Sequence, residues 1–87
     1  MKPARLLWAG LLSGCSLAAA DHERLGDRAY GEGRFVEAMA EYRAAEASGG
    51  RPRLWAKLGA AALHSRDFSL AVESYAALAT ADESRAA

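Results

Sequence analysis

A set of residues recurs within the chain at a fixed spacing of 33 positions. The set comprises Leu25-Gly26, Phe35, Ala38 and Tyr42, which return as Leu58-Gly59, Phe68, Ala71 and Tyr75. Self-similarity at a period of roughly 34 residues is typical of stacked helix–turn–helix units, none of which can bury its apolar face alone. Units of this kind serve for binding to other proteins rather than for chemistry. The repeat therefore constrains the class of function without indicating a particular partner.

Apolar residues follow a helical period from Asp21 onward, which predicts four helices. Asp21 is a suitable N-cap for the first helix, and Pro52 suits the opening turn of the third. Ser48-Gly49-Gly50 ends the second helix, since glycine favours the left-handed conformation at a helix C-terminus. No strand pattern occurs in the sequence, so the chain is predicted to be all-α, a fragment of an α-solenoid with two stacked antiparallel hairpins. The predicted boundaries are 21–51 and 52–82 for the hairpins and 83–87 for a polar tail.

Two of the recurring glycines, Gly26 and Gly59, lie in the middle of predicted helices. Each costs about 1 kcal/mol there relative to alanine. Such a cost implies a packing reason, and the close approach of the partner helix supplies one. The recurring alanine of each second helix is the small residue expected on the facing surface. Tyr42 and Tyr75 are expected to fill the gap between successive hairpins.

Together these positions resemble the tetratricopeptide repeat. The family pattern pairs an aromatic residue, Leu-Gly and Tyr on one helix with an aromatic residue, Ala, an aromatic residue and Ala on the next. The second copy carries the pattern as Trp55, Leu58-Gly59, Phe68, Ala71 and Tyr75. The first copy carries it as Leu25-Gly26, Gly33, Phe35, Ala38, Tyr42 and Ala45.

Three positions depart from the family pattern. His22 stands where the first copy should carry its leading aromatic residue, and Leu78 replaces the last small residue of the second copy. Arg66 replaces the turn glycine that Gly33 provides in the first copy. The resemblance covers roughly residues 20–82, and because the pattern is degenerate, only its agreement over whole units is specific.

In that family the first helix of each hairpin lines a concave groove that receives peptides or helices. By resemblance, the groove residues of this chain are Glu23, Asp27 and Tyr30 in the first copy and Arg53, Ala56, Ala60, Leu63 and His64 in the second. The set implies an apolar floor with an acidic end and a basic end. It lacks the paired Lys and Asn with which some members clamp a terminal carboxylate, so binding of a chaperone tail is not expected. For each single charge, ordinary solvated surface is the alternative interpretation.

The N-terminus has the features of a targeting segment. Lys2 and Arg5 precede an apolar run over 6–12, and small residues follow. Leu12-Ser13-Gly14-Cys15 resembles the lipobox of bacterial lipoprotein signal peptides. The resemblance implies a signal peptide over 1–14, cleavage before Cys15, attachment of a diacylglyceryl group to its sulfur, and acylation of the new amino terminus.

The lipoprotein interpretation also bears on location. Residues 15–20 would form a lipidated tether, which at about 3.5 Å per residue reaches at most ~18 Å from the bilayer. Ser16 would be the second residue of the mature chain, a position at which serine permits transfer to the outer membrane in that family. We therefore expect an anchor in the bacterial outer membrane, on its periplasmic side.

Alternatives remain open at the same segment. Ala18-Ala19-Ala20 fits an A-x-A cleavage site, which would release a soluble chain that begins near Asp21. Cys15 could instead be an incidental apolar thiol. A transmembrane helix is disfavoured, because the uncharged stretch 6–20 has 15 residues whereas a hydrocarbon core requires about 20.

Charge and ligand chemistry exclude other classes of function. Eleven basic and eleven acidic residues balance, which disfavours binding to nucleic acid or to an acidic substrate. Cys15 is the only cysteine, so no intrachain disulfide is expected. His64 and Asp67 offer two metal ligands at most, whereas zinc needs four, or three plus water. No nucleophile has a base at a recognisable spacing, so neither an enzyme nor a cofactor is expected.

Two repeats leave apolar surface at the end of the stack. Leu70, Val72 and Leu78 cannot all be covered by two hairpins, and solenoids generally need three or more units. The chain is therefore part of a longer protein, associates with itself, or is capped by another protein. The sequence predicts a lipid-anchored protein-interaction scaffold of the bacterial envelope, in a pilus, secretion or outer-membrane assembly complex. The alternative is a soluble periplasmic accessory subunit of a cell-wall enzyme, cleaved after Ala20.

Overall fold

The computed structural model describes residues 15–49 and 51–86 of the chain. Within these ranges there are four helices and no strand: α1 (Cys15–Gly31), α2 (Phe35–Ala47), α3 (Pro52–His64) and α4 (Phe68–Ala86). Helix α1 packs against α2 and α3 packs against α4, while contacts between α2 and α3 join the two pairs. The predicted all-α architecture of two helical hairpins is confirmed. The predicted signal peptide at 1–14 lies outside the described residues, as does Gly50 of the predicted stop signal.

Helix α1 begins earlier than the sequence analysis predicts. It already includes Cys15 to Ala20, so the prediction that Asp21 caps its N-terminus is wrong. The local reason is the run Ala18-Ala19-Ala20, because alanine has the highest helix propensity of any residue. Residues 16–20 therefore rise about 1.5 Å each, or about 8 Å together, rather than the extended reach expected of a tether. Helix α4 likewise continues to Ala86, through most of the predicted tail.

The same turn closes both hairpins. Gly33 and Arg66 occupy equivalent positions, and both adopt positive φ, at 78° and 65° respectively. Arg66 is thus held in the left-handed region that a residue with a Cβ atom adopts at a cost of about 1–2 kcal/mol. The turns also share a backbone hydrogen bond of 2.8 Å, which the N–H of the residue immediately before α2 or α4 donates. These bonds run from Arg34 N to Ala29 O and from Asp67 N to Ala62 O.

Asp67 caps helix α4. Its Oδ1 accepts a hydrogen bond of 3.2 Å from the backbone N–H of Leu70. The side chain thereby satisfies one of the N–H groups that has no partner inside the helix.

Both mid-helix glycines lie directly under a tyrosine ring. A Cβ atom at Gly26 would be 2.6 Å from a ring carbon of Tyr42, and one at Gly59 would be 2.9 Å from a ring carbon of Tyr75. Both distances are shorter than a carbon–carbon contact allows, so the close approach predicted at the glycines is confirmed. The predicted role of the tyrosines needs correction, because each ring packs on the glycine of its own hairpin rather than only between hairpins.

His22 takes over the position at which the repeat pattern has an aromatic residue. Its Nδ1 lies 2.7 Å from Oε1 of Glu41, which ties α1 to α2 by a polar contact. Both side chains are about one-third exposed, at 38% and 33%. The departure from the pattern at His22 thus replaces an apolar contact of the first hairpin with a partly buried polar pair.

Candidate functional site

A groove of about 360 Å³ opens between α1 and α3, and a residue of α2 contributes to its floor. Its lining residues are Asp27, Tyr30, Tyr42, Ala56, Lys57 and Ala60. Four of them belong to the groove predicted from the sequence, whereas Tyr42 and Lys57 were not anticipated there. The floor is formed by alanines and aromatic rings, and the charged groups stand at its edge.

The charged residues at the edge of the groove bind each other across the two helices. Glu23 accepts two hydrogen bonds from Arg53, of 2.9 Å from Nε and 2.8 Å from Nη2. It accepts a third, of 2.8 Å, from Nζ of Lys57. Lys57 also donates to both carboxylate oxygens of Asp27 at 3.0 Å. The predicted acidic and basic ends therefore neutralise each other, and we call these four residues the latch.

The latch follows from the spacing of its members. Glu23 and Asp27 are four residues apart on α1, and Arg53 and Lys57 are four apart on α3. Residues at this spacing project from the same side of a helix, so two adjacent helices can align a pair of anions with a pair of cations. Glu23 holds the central position, with a side chain that is only 12% exposed.

The hydrogen bonds of the latch shift the pKa values of its members. The bonds from Arg53, and then those from Lys57, lower the pKa of Glu23 from 4.5 to about 2. Burial acts to lower the pKa of Lys57, but its bonds to Glu23 and Asp27 outweigh that effect and raise it. The hydrogen bond to Glu23 also raises the pKa of Arg53. Glu23, Arg53 and Lys57 are therefore all charged at neutral pH, which maintains the ion pairs among them.

Tyr42 extends the latch into the core. Its hydroxyl donates a hydrogen bond of 2.7 Å to Oδ1 of Asp27, and the residue is only 2% exposed. Burial, and then the bond to Asp27, raises the pKa of Tyr42, so the phenol keeps its proton and remains a donor. The Nζ atom of Lys57 lies 6.0 Å from the centre of the ring, at the limit of a cation–π contact. The wall of the groove is thereby held in place by residues of three helices.

Two predicted groove residues lie elsewhere, at the C-terminal end of α3. The His64 ring is stacked on Phe35, with centroids 4.6 Å apart and an angle of 15° between the planes. It also meets Tyr30 edge-on at 5.6 Å. His64 therefore belongs to an aromatic cluster that joins the two hairpins. Leu63 is 50% exposed and does not line the groove.

Glu23 and Arg53 line a second, smaller cavity of about 220 Å³. Its other lining residues include Ala19 and Ala20 of α1, Ser48 and Gly49 after α2, and Leu54 in the first turn of α3. The predicted groove residues are thus divided between two cavities and an aromatic cluster, and Leu63 lies outside all three.

Metal and membrane signals are absent from the described part of the chain. Residues 15–49 and 51–86 contain no group of three or more metal-ligating side chains. None of the helices in these ranges has both the length and the hydropathy needed to cross a bilayer.

Comparison of the chain with protein-family models, with curated proteins and with solved structures finds no match. The function proposed below therefore rests on the site itself and on the sequence patterns.

The sequence did not indicate that Lys57 lines the groove or that the members of the latch pair with each other. A usable signal was present, because an acidic pair and a basic pair with the same four-residue spacing lie 30 positions apart. That separation is close to the repeat length, so the two pairs fall on neighbouring first helices. Tyr42 offered no such signal, since its contact with the groove depends on how deeply its ring enters the space above Gly26.

Proposed function

We propose that this chain is a protein-binding module of the tetratricopeptide type, held at a bacterial membrane by a lipidated Cys15. The observation that carries the proposal is the groove between α1 and α3, which is already formed and has small residues at its floor. Ala56 and Ala60 let a ligand approach the helix backbone, while Tyr30 and Tyr42 supply flat apolar surface. Binding rather than catalysis is the proposed role.

The dimensions of the groove indicate what it accepts. At about 360 Å³ it lies near the lower limit of ligand pockets, which range over roughly 300–1,000 Å³. A volume of that size suits one or two anchoring side chains of a helix or an extended segment. Because the latch neutralises its own charges, the groove selects an apolar anchor more strongly than a charged one.

A lipid anchor on Cys15 would strengthen weak binding in the groove by keeping the groove near membrane-bound partners. Glu23 lies eight positions after Cys15 in the same helix, a rise of about 12 Å, so a lipid on Cys15 would keep the groove close to the membrane surface. Tethering in this way raises the effective concentration of the module toward other membrane-bound proteins. A pilus, secretion or outer-membrane assembly complex on the periplasmic side is the setting that we propose.

The helical state of 18–20 supports processing before Cys15 over cleavage after Ala20. A peptidase binds extended backbone at the scissile bond, and Ala20 lies more than one turn inside α1, whereas Cys15 is its first residue. The second candidate remains a soluble periplasmic accessory subunit of a cell-wall enzyme, which would begin near Asp21.

Intact mass and fractionation test the anchor. The wild-type protein is expected in the membrane fraction, with a chain that begins at Cys15 and carries added acyl mass. The Cys15→Ser variant should lose both the added mass and the membrane location. An unmodified wild-type chain that begins at Asp21 would contradict the proposed anchor and favour the soluble form.

Site-specific crosslinking tests the groove. A photoreactive residue at Ala60, in the floor, is expected to crosslink to a bound protein in intact cells. The same residue at Ala40, an exposed alanine of α2, serves as the matched control. The Ala56→Arg substitution should remove the Ala60 crosslink by filling the floor with a long cation. Equal crosslinking from both positions, or an Ala60 crosslink that Ala56→Arg leaves unchanged, would refute a binding groove at this place.

A further inference from the structure

A further cavity, of about 140 Å³, lies between the two hairpins and shares no lining residue with the groove. Residues of α2, α3 and α4 form it, and we call it the cleft. Its polar and aromatic lining residues are Arg43 and Glu46 of α2, Trp55 of α3, and Glu73 and Ser74 of α4. Apolar residues complete the lining. The cleft is therefore a second concave surface with its own set of chemical groups.

The cleft follows from a change in side-chain size between the two copies of the repeat. Trp55 and Ser74 stand 33 positions after His22 and Glu41. In the first hairpin the long side chain of Glu41 reaches His22, with 2.7 Å between Oε1 and Nδ1, and joins the two helices. The side chain of Ser74 is shorter, so the second hairpin leaves space beside Trp55 instead of a polar contact.

The inner part of the cleft has a hydroxyl group. Ser74 is 3% exposed and is the buried polar residue of the described chain. A serine hydroxyl can donate one hydrogen bond and accept two. Because a buried polar group is stabilised by partners and is costly to surround with apolar atoms, Ser74 favours a polar occupant of the cleft over an apolar one.

Three charged side chains border the cleft and do not pair with each other. None of the ion pairs among the described side chains includes Arg43, Glu46 or Glu73. Arg43 and Glu73 are exposed, and Glu46 is partly buried. Two carboxylates and one guanidinium give the lining a formal charge of −1, so it attracts a cation more strongly than an anion.

Trp55 adds a partly buried aromatic ring to these charges. Indole is the side chain that attracts a cation to its face most strongly. A guanidinium can stack on such a ring and donate hydrogen bonds to carboxylates in its own plane, whereas an ammonium is a compact point charge. The volume of the cleft is below the roughly 300–1,000 Å³ of small-molecule pockets, so it suits one side chain.

We infer that the cleft binds an arginine side chain of a partner protein, with its guanidinium on Trp55 and its hydrogen bonds directed to Glu46 and Glu73. Arg43 repels the incoming cation and limits the affinity. Trp55 and Ala56 are neighbours in α3 but line different cavities, since successive residues of a helix project about 100° apart. The inference therefore concerns a surface outside the groove and does not depend on ligand binding there.

Tryptophan fluorescence of the full-length Trp8→Phe variant in detergent micelles tests the inference, because Trp55 is then its only tryptophan. Nα-acetylarginine amide is the probe. The citrulline analogue is the uncharged control of nearly the same shape, and Nα-acetyllysine amide is the second cation. Sodium chloride at equal concentrations controls for ionic strength. The arginine probe should change the emission in a saturable way and bind at least threefold more tightly than either control.

Variants of the lining locate the site. Glu73→Gln and Glu46→Gln should each weaken the arginine probe at least threefold, whereas Arg43→Gln should tighten it by removing a like charge. Glu37→Gln is the matched control, since Glu37 is an exposed glutamate of α2 that does not line the cleft, and it should leave the affinity unchanged. Circular dichroism verifies that each variant is folded.

Three results would overturn the inference. The first is an emission of Trp55 that the arginine probe does not change in a saturable way. The second is equal affinity for the arginine and citrulline probes, because the carboxylates would then not select a cation. The third is binding that both Glu46→Gln and Glu73→Gln leave unchanged, because the probe would then occupy another surface.

Discussion

The same substitution at two equivalent positions of the repeat should have opposite effects on stability. Gly26→Ala would place a Cβ atom 2.6 and 2.7 Å from two ring carbons of Tyr42. That ring is 2% exposed, and its hydroxyl is bonded to Asp27. It cannot move away without breaking the hydrogen bond and disturbing the core. Gly59→Ala would place its Cβ atom 2.9–3.1 Å from Tyr75, whose ring is 40% exposed and can turn toward solvent.

The magnitudes follow from three contributions. Replacing a mid-helix glycine with alanine stabilises by about 1 kcal/mol at either position. At Gly26 the overpacked contact costs about 1–3 kcal/mol, and loss of the bond to Asp27 adds about 1 kcal/mol. Gly26→Ala should therefore lower the free energy of unfolding by about 1–3 kcal/mol. Gly59→Ala should leave it unchanged or raise it by up to about 1 kcal/mol, because the exposed ring of Tyr75 yields at little cost.

Urea unfolding followed by circular dichroism measures both effects on the full-length protein. A double-mutant cycle provides the control, since Gly26→Ala combined with Tyr42→Ala should cost less than the sum of the two single changes. Equal changes at Gly26 and Gly59 would refute the reasoning, because they would show that helix propensity alone decides. So would strict additivity in the cycle, because the clash would then not involve Tyr42.

Three further predictions concern single residues. Because the folded-state pKa of Glu23 is lowered from 4.5 to about 2, its stabilising contribution is complete above pH 4.5 and is lost as the pH falls toward 2. After screening by solvent, we expect the free energy of unfolding to fall by about 1 kcal/mol between pH 7 and pH 2.5 because of Glu23. Urea titrations at the two pH values should show a smaller fall in the Glu23→Gln variant. Equal falls in the variant and the wild type would contradict a contribution from Glu23. Arg66→Gly should raise the free energy of unfolding by up to about 1 kcal/mol, because glycine adopts the positive φ of this position without strain. Gly33→Ala at the equivalent position should lower the free energy of unfolding for the same reason. A thermal unfolding midpoint that does not rise in Arg66→Gly would contradict this prediction. Tyr42→Phe removes the donor to Asp27 and should cost about 1–2 kcal/mol in urea unfolding, and an unchanged midpoint would mean that the hydrogen bond contributes nothing.

The fold was predictable from the sequence because its determinants are local and occur twice. Gly26 and Gly59 mark the places where a ring must approach a helix backbone, and the turns at Gly33 and Arg66 set the length of each hairpin. A period of 33 residues is long enough to specify both helices and the turn between them. The start of α1 was not predicted, since a capping rule applied to Asp21 gave too little weight to the alanines before it.

The candidate site was only partly predictable. Its members on α1 and α3 follow from position in the repeat, which is why Asp27, Tyr30, Ala56 and Ala60 were anticipated. Whether two charges face solvent or each other depends on the distance between helices, which no pattern within one helix reports. For that reason the sequence predicts separate acidic and basic ends of a groove at the place where Glu23 and its cations form the latch.

Residues at equivalent positions of the two repeat copies also differ in their roles, because their neighbours differ. Tyr42 and Tyr75 occupy the same position of the repeat and pack on the same kind of glycine, yet they are 2% and 40% exposed. The difference comes from α3, which covers the first tyrosine, and from the carboxylate of Asp27, whose equivalent is Ala60. The same repeat unit is therefore covered by a neighbouring helix and held by ion pairs in its first copy. In its second copy the equivalent surface is exposed and apolar.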